Sequence, residues 1–109
     1  MIETLQPQTL RAWMSEARPF RLLDVREEVE WRIARLPGAS LRPLSTLRQW
    51  LEEEAAAADL RPIVVYCHHG VRSARVCAAL TAHGAQDVRN LAGGIERWSL
   101  EVDPAVPRY

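Results

Sequence analysis

The stretch PIVVYCHHGVRSARVCAAL, residues 62–80, decides how the chain folds. Pro62 to Tyr66 is an unbroken apolar, β-branched run, the pattern of a strand buried on both faces of a parallel sheet. It stops at Cys67. His68, His69, Gly70, Val71 and Arg72 follow, and from Ser73 the period becomes helical, with Val76, Cys77 and Leu80 on one face. His83-Gly84 closes that helix, glycine being the usual residue after a helix end. A thiol thus stands at the carboxyl end of a predicted buried strand, where open α/β sheets bind their ligands.

The flanking segments repeat the alternation. Residues 7–17 start with a proline suited to the first helical position, and Leu10, Trp13, Met14 and Ala17 recur at helical spacing. Phe20, Leu22 and Leu23 predict a short strand ending at Asp24. EEVEWRIA reads as a short helix with acidic residues in its first turn. LPGAS is a turn, followed by a short strand over Ala39–Leu41. Leu44, Leu47, Trp50, Leu51 and Ala55 mark a helix, DVRNL a strand, and a last short helix lies around Ile95–Trp98. The tail SLEVDPAVPRY is proline-broken and packs back through Val102, Val106 and Tyr109. Strands alternating with helices predict an α/β fold of three layers, a small, mainly parallel central sheet flanked by helices.

At 109 residues the expected organisation is one domain, residues 1–109. The chain is 48% hydrophobic, enough for one core and too much for a disordered segment. Zero formal net charge gives no global field toward nucleic acid or an anionic membrane, and neither is expected as a partner. All 14 basic residues are arginine, so lysine chemistry is excluded. There is no signal-peptide pattern at the start and no span for a bilayer. Two cysteines in that setting read as reduced thiols, with a cytoplasmic location expected.

A thiol is a strong nucleophile only as a thiolate, and a helix N-terminus or nearby cations favour that form. The loop after Cys67 offers both. The free N–H groups of the following helix face back over it. Gly70 permits a tight ring, and inward-turned N–H groups make an anion nest. Arg72 adds a forked donor, and His68 and His69 are further candidate cations or donors. A cation is unfavourable at a helix start, and a locally disfavoured residue beside a nucleophile points to function. The cradle suits either a cysteinyl-phosphate or a cysteine persulfide. Cys77 belongs on the core face of its helix. Three adjacent residues, Cys67, His68 and His69, do not make a zinc site, so no metal is expected. Arg26 is divided between a site role and pairing with Glu27, Glu30 or Asp24. The tryptophans read as packing, and Gly93-Gly94 as a turn.

LLDVREEVEW, LPGA, VVYCHHGVRSARVCAAL and NLAGGIERW together resemble the successive signatures of single-domain rhodanese-like sulfurtransferases. The C-x4-R spacing from Cys67 to Arg72 is one residue shorter than the C-x5-R of related phosphatases and arsenate reductases, and suits a single sulfur better than a tetrahedral oxyanion. The resemblance implies that Cys67 carries a persulfide and that the backbone N–H groups of His68, His69, Gly70, Val71, Arg72 and Ser73 bind its terminal sulfur. It implies that Arg72 orients an anionic donor such as thiosulfate, and that Asp24 and Arg26 support the site. Cyanide, a small thiol or a protein thiol would be the acceptor, and the chemistry so implied needs no metal or organic cofactor. Many relatives carry a histidine where this chain has Arg35, so no role of that histidine transfers. The chain's ending is similar to rhodanese domains that follow adenylyltransferases acting on ubiquitin-like sulfur carriers. That likeness leaves a protein-to-protein persulfide relay, serving a sulfur carrier or a tRNA or cofactor thiolation pathway, beside the thiosulfate enzyme. A cysteine-dependent phosphatase or arsenate reductase is a third reading.

Overall fold

A computed structural model describes residues 2–109; Met1, the first residue of the expected domain, lies outside the described residues. Five strands, β1 (Glu3–Leu5), β2 (Arg21–Asp24), β3 (Ser40–Leu41), β4 (Ile63–Tyr66) and β5 (Val88–Leu91), form one sheet in the order β1-β5-β4-β2-β3. Every pairing is parallel. The helices are α1 (Pro7–Ser15), α2 (Glu28–Ile33), α3 (Leu47–Ala56), α4 (Val71–Ala82) and α5 (Gly94–Glu101), with a 3-10 turn over Leu44–Thr46 leading into α3.

The apolar run in β4 takes the central place, and all four of its residues are buried. Successive strand residues point to opposite faces. Val64 and Tyr66 therefore join Leu10 and Trp13 of α1 and Ile95 and Trp98 of α5. Ile63, Val65 and Cys67 join Trp50 and Leu51 of α3 and Val76, Cys77 and Leu80 of α4. Two half-cores on one sheet give the three-layer α/β/α arrangement. Val106 completes the first half-core and Val102 packs against it, which holds the tail down.

The structure corrects the sequence reading at several ends. β1 was not expected: Glu3 and Thr4 are exposed and only Leu5 is buried, so it shows no period. It pairs with β5 at the sheet edge, Leu5 opposite Leu91. α4 begins at Val71 rather than Ser73, because Val71 is 73% exposed and Arg72 is polar, so neither adds to the apolar stripe. α5 runs to Glu101, where Ser99 was read as tail; its hydroxyl donates to the Val106 carbonyl at 2.6 Å and ties helix to tail. β3 is only Ser40–Leu41. Among the described residues, no helix is long and apolar enough to cross a membrane.

Leu80 is fully buried in the α4 half-core, whereas Leu100 is 59% exposed. Leu80→Ala is expected to cost about 2–5 kcal/mol through lost burial and a residual cavity. In urea unfolding this appears as a lower midpoint at unchanged slope. Leu100→Ala should stay within about 0.5 kcal/mol.

Candidate active site

Cys67 follows the last residue of β4 and is 1% exposed. The alternation that sends Tyr66 toward α1 and α5 sends Cys67 toward α4. Gly70 caps α4 with φ +108°, a region that L side chains rarely adopt. The turn it makes directs backbone amides at the sulfur. Gly70 N–H donates to Cys67 Sγ at 3.1 Å and Ser73 N–H donates at 3.4 Å, while the Ser73 hydroxyl lies 3.3 Å from Sγ.

A loop that turns its N–H groups inward turns carbonyls outward, and buried carbonyls need donors. The first amides of α5 supply them. Ile95 N–H donates to the Cys67 carbonyl at 2.9 Å, and Glu96 N–H to the His68 carbonyl at 3.1 Å. The approach is close enough to demand glycine at residue 94. A Cβ there would lie 2.4 Å from the His68 oxygen and 2.5 Å from the Cys67 oxygen. The sequence marks Gly94 as turn only; the structure makes it the contact between α5 and the loop. On the other side, the Asn90 side-chain amide of β5 donates to the Gly70 carbonyl at 3.0 Å.

Asp24 ends β2, and with Arg26 it forms a wholly buried ion pair at 2.7 Å, both side chains 0% exposed. Of the three partners weighed for Arg26, Asp24 is the one that forms the ion pair. Such a pair is tolerable only where its remaining hydrogen-bonding capacity is met. Tyr66 O–H donates to Asp24 Oδ2 at 2.7 Å, and Arg26 also donates to the Ala34 carbonyl at 2.6 Å and to Tyr109 Oη at 2.8 Å. Burial, and the Asp24 charge after it, push the Tyr66 phenol far above its ordinary range, so it remains a donor. Arg35, at the departure from the family pattern, lies outside this cluster with its guanidinium over the Trp31 ring.

The Arg72 guanidinium is directed at α2. Its two ends donate to the two Glu30 oxygens at 2.6 and 2.9 Å, and Tyr109 O–H donates to Glu30 Oε2 at 2.7 Å. Glu30 also completes the capping box of α2, accepting from Glu27 N–H. Arg72 above all holds the Glu30 carboxyl down to about 2. The Tyr109 ring stacks on His68 at 4.0 Å, and His68 stacks on His69 at 3.9 Å. Burial first, then the neighbouring His69, lowers the His68 pKa and favours its neutral ring. His69 and Val71 form the exposed outer side of the loop.

The structure therefore brings Cys67, Gly70 and Ser73 together around the sulfur, and places Asp24 and Arg26 with Tyr66 on the opposite face of the sheet. Arg72 sits beside the loop, bound to Glu30. Glu30, Tyr66, Asn90, Gly94 and Tyr109 enter the site without having been singled out for it. Among the described residues, no cluster of His, Cys, Asp or Glu is arranged to hold a metal ion. Cys77 is buried, and burial pushes its thiol up to about 12. That leaves Cys67 as the sulfur with donors aimed at it.

The site and fold together define a known class. The chain belongs to the rhodanese-like domain family, whose model matches residues 6–101. It is similar to a probable adenylyltransferase/sulfurtransferase, MoeZ, of Mycobacterium tuberculosis, at 39% identity over 97% of this chain and 27% of that protein. The chain thus spans about a quarter of that relative's length. It is also similar to the thiosulfate sulfurtransferase GlpE of Coxiella burnetii, at 30% identity over 82% of this chain and 81% of that one. In structure it resembles a rhodanese-like domain protein from Staphylococcus aureus, with a TM-score of 0.80, 27% identity and 99% of each chain covered.

Two outcomes follow from this geometry. Gly94→Ala forces a Cβ into two loop carbonyls, so it should lower the thermal midpoint and slow Cys67 alkylation together. A variant with both unchanged would mean that α5 does not hold the loop. Glu30 supplies the second. Its carboxyl titrates at about 2 in the fold against 4.5 ordinarily, so the unfolded chain takes up this proton first as pH falls. The stabilisation is complete above 4.5 and drains away toward 2. The stability difference between the native protein and Glu30→Gln, measured by urea unfolding, should be constant near neutral pH and shrink across that window.

Proposed function

We propose that the protein is a sulfurtransferase in which Cys67 carries a persulfide. The observation that carries this reading is the pair of backbone amides, Gly70 and Ser73, converging on one buried sulfur. Preorganised donors of that kind stabilise negative charge on a nucleophile or its adduct without reorganising during reaction. The similarity to sulfurtransferases over most of the chain supports the same assignment.

In the first half-reaction the Cys67 thiolate attacks the outer sulfur of a donor such as thiosulfate. A bond forms between Sγ and that sulfur, the donor's S–S bond breaks, and sulfite leaves with the bonding pair. The terminal sulfur of the persulfide carries the negative charge toward the loop amides, including those of His68, His69, Val71 and Arg72. In the second, a nucleophilic acceptor such as cyanide or a thiol attacks the terminal sulfur and the Cys67 thiolate departs. A covalent intermediate between two substrates implies ping-pong kinetics. Asp24 and Arg26 hold the floor of the site. The C-x4-R ring, sized for a single sulfur, weighs against phosphatase or arsenate reductase chemistry.

One observation favours a second reading, a persulfide relay between proteins. Both ends of the Arg72 guanidinium are taken by Glu30, so a small dianion would have to compete with a carboxylate for it. A donor that delivers sulfur from its own cysteine makes no such demand.

Intact mass decides between these. After incubation with thiosulfate, the native protein and Cys77→Ser should each gain one cyanide-removable sulfur, and Cys67→Ser none. Loading from a cysteine desulfurase with no loading from thiosulfate would establish the relay in place of the thiosulfate enzyme. Equal gain in Cys67→Ser, or no gain from either donor, would overturn the assignment.

A further inference from the structure

Asn90 is a buried polar residue on β5, an interior strand of the sheet, paired with Val65 of β4 on one side and Thr4 of β1 on the other. By strand alternation its side chain shares a face with Val88, the face that carries Cys67 and α4. The directions of the hydrogen bonds around it follow from what each atom can do. The Gly70 carbonyl only accepts, so Asn90 meets it with its NH2 group, at 3.0 Å. That turns Asn90 Oδ1 toward Ser73. A carbonyl oxygen only accepts, so Ser73 donates its single hydroxyl proton there, at 2.6 Å. The Ser73 oxygen then presents only lone pairs to Cys67 Sγ, 3.3 Å away. Cys67 must be the donor in that contact, and the S–H form completes the chain of bonds.

We propose that Asn90 is a positioning residue that keeps the Ser73 proton away from Cys67, so that the thiolate gains the Ser73 O–H only by breaking the Ser73–Asn90 hydrogen bond. When the thiol releases its proton to solvent, the hydroxyl becomes a donor to the thiolate and Asn90 Oδ1 loses its partner. The amides of Gly70 and Ser73 favour negative sulfur; Asn90, through Ser73, opposes it. The nucleophile is thus restrained at rest. This inference rests on reading Cys67 as the nucleophile of the proposed sulfur transfer.

The other titratable and charged groups around Cys67 are His68 and His69 in its own loop, and Arg72 and Cys77 on α4. Glu30 of α2, Glu96 of α5 and Tyr109 of the tail lie behind these, against His68. None of them is hydrogen-bonded to the side chain of Ser73 or Asn90 among the described residues.

The test is a pH titration of thiolate ultraviolet absorbance, taken as the difference from Cys67→Ser. Cys77 is pushed up to about 12, and both tyrosines are raised by burial, which leaves the window clear. A hydrogen bond to a charged group is strong enough to move a titration by about one pH unit. Asn90→Ala should therefore lower the Cys67 midpoint by about one unit. In a Ser73→Ala background the same substitution should not lower it, because the route through the hydroxyl is gone. Asn90→Leu, which keeps the branching and heavy-atom count of asparagine without its polar atoms, repeats the comparison should the alanine variant fold poorly. An upward shift, or the same downward shift in both backgrounds, overturns the proposal. The titration needs no sulfur donor. If Cys67 never loads sulfur, the transfer reading fails while the shift stands. If Cys67 loads but the midpoint stays fixed, the role of Asn90 alone fails.

Discussion

A single constraint governs the site: a short loop cannot turn its amides toward the sulfur without turning carbonyls away from it, and those of Cys67, His68 and Gly70 are turned into the protein, toward α5 and β5. The amides of Ile95 and Glu96 answer the carbonyls of Cys67 and His68. The side chain of Asn90 answers Gly70. These donors come from β5 and the helix after it, so the cradle exists only once β4, α4, β5 and α5 have assembled. The close approach of Gly94 is the covalent trace of that requirement. A local loop motif thereby becomes a product of the tertiary fold.

The opposite face of the sheet carries a second arrangement with the same logic. Asp24 and Arg26 are removed from water entirely, and breaking such a pair by deleting one member costs about 3–5 kcal/mol. Their surplus donors and acceptors reach Tyr66, Ala34 and Tyr109. Tyr109 then passes the connection to Glu30, and Glu30 to Arg72. A chain of charge-assisted bonds runs from under the sheet, through the tail and α2, to the first turn of α4. Arg72 escapes the unfavourable field of its helix N-terminus because a bidentate carboxylate accompanies it.

Much of this was legible in the sequence because it is written in short-range pattern. The β-branched run, the polar loop and the change of period locate β4, Cys67 and α4 within a few residues. Asp24 and Arg26 are recognisable from a local motif beside a strand end. What escaped is long-range. Glu30 lies in an acidic run that its helix start already explains, and nothing local says that it faces Arg72, 42 positions away. Tyr109 ends a proline-broken tail, and its stacking on His68 depends on how that tail crosses α5. β1 is too short and too exposed to leave a period. Asn90 did carry a signal, an amide in the interior of an apolar strand, where a partner is obligatory.

The sulfur is held by backbone amides, while His69 and Val71 point to solvent from the same few residues. The inner surface of the loop is therefore built from main-chain amides, and its outer surface from the side chains of His69 and Val71, which donate nothing to the sulfur. Its outward side chains are open to replacement without disturbing the cradle, provided that Gly70 keeps its left-handed turn and Ser73 its hydroxyl. A surface of this kind can meet a different partner through changes at His69 and Val71 alone, with no change to the amides around Cys67. What a partner would touch and what holds the sulfur are thus separate parts of one short stretch, Cys67 to Ser73.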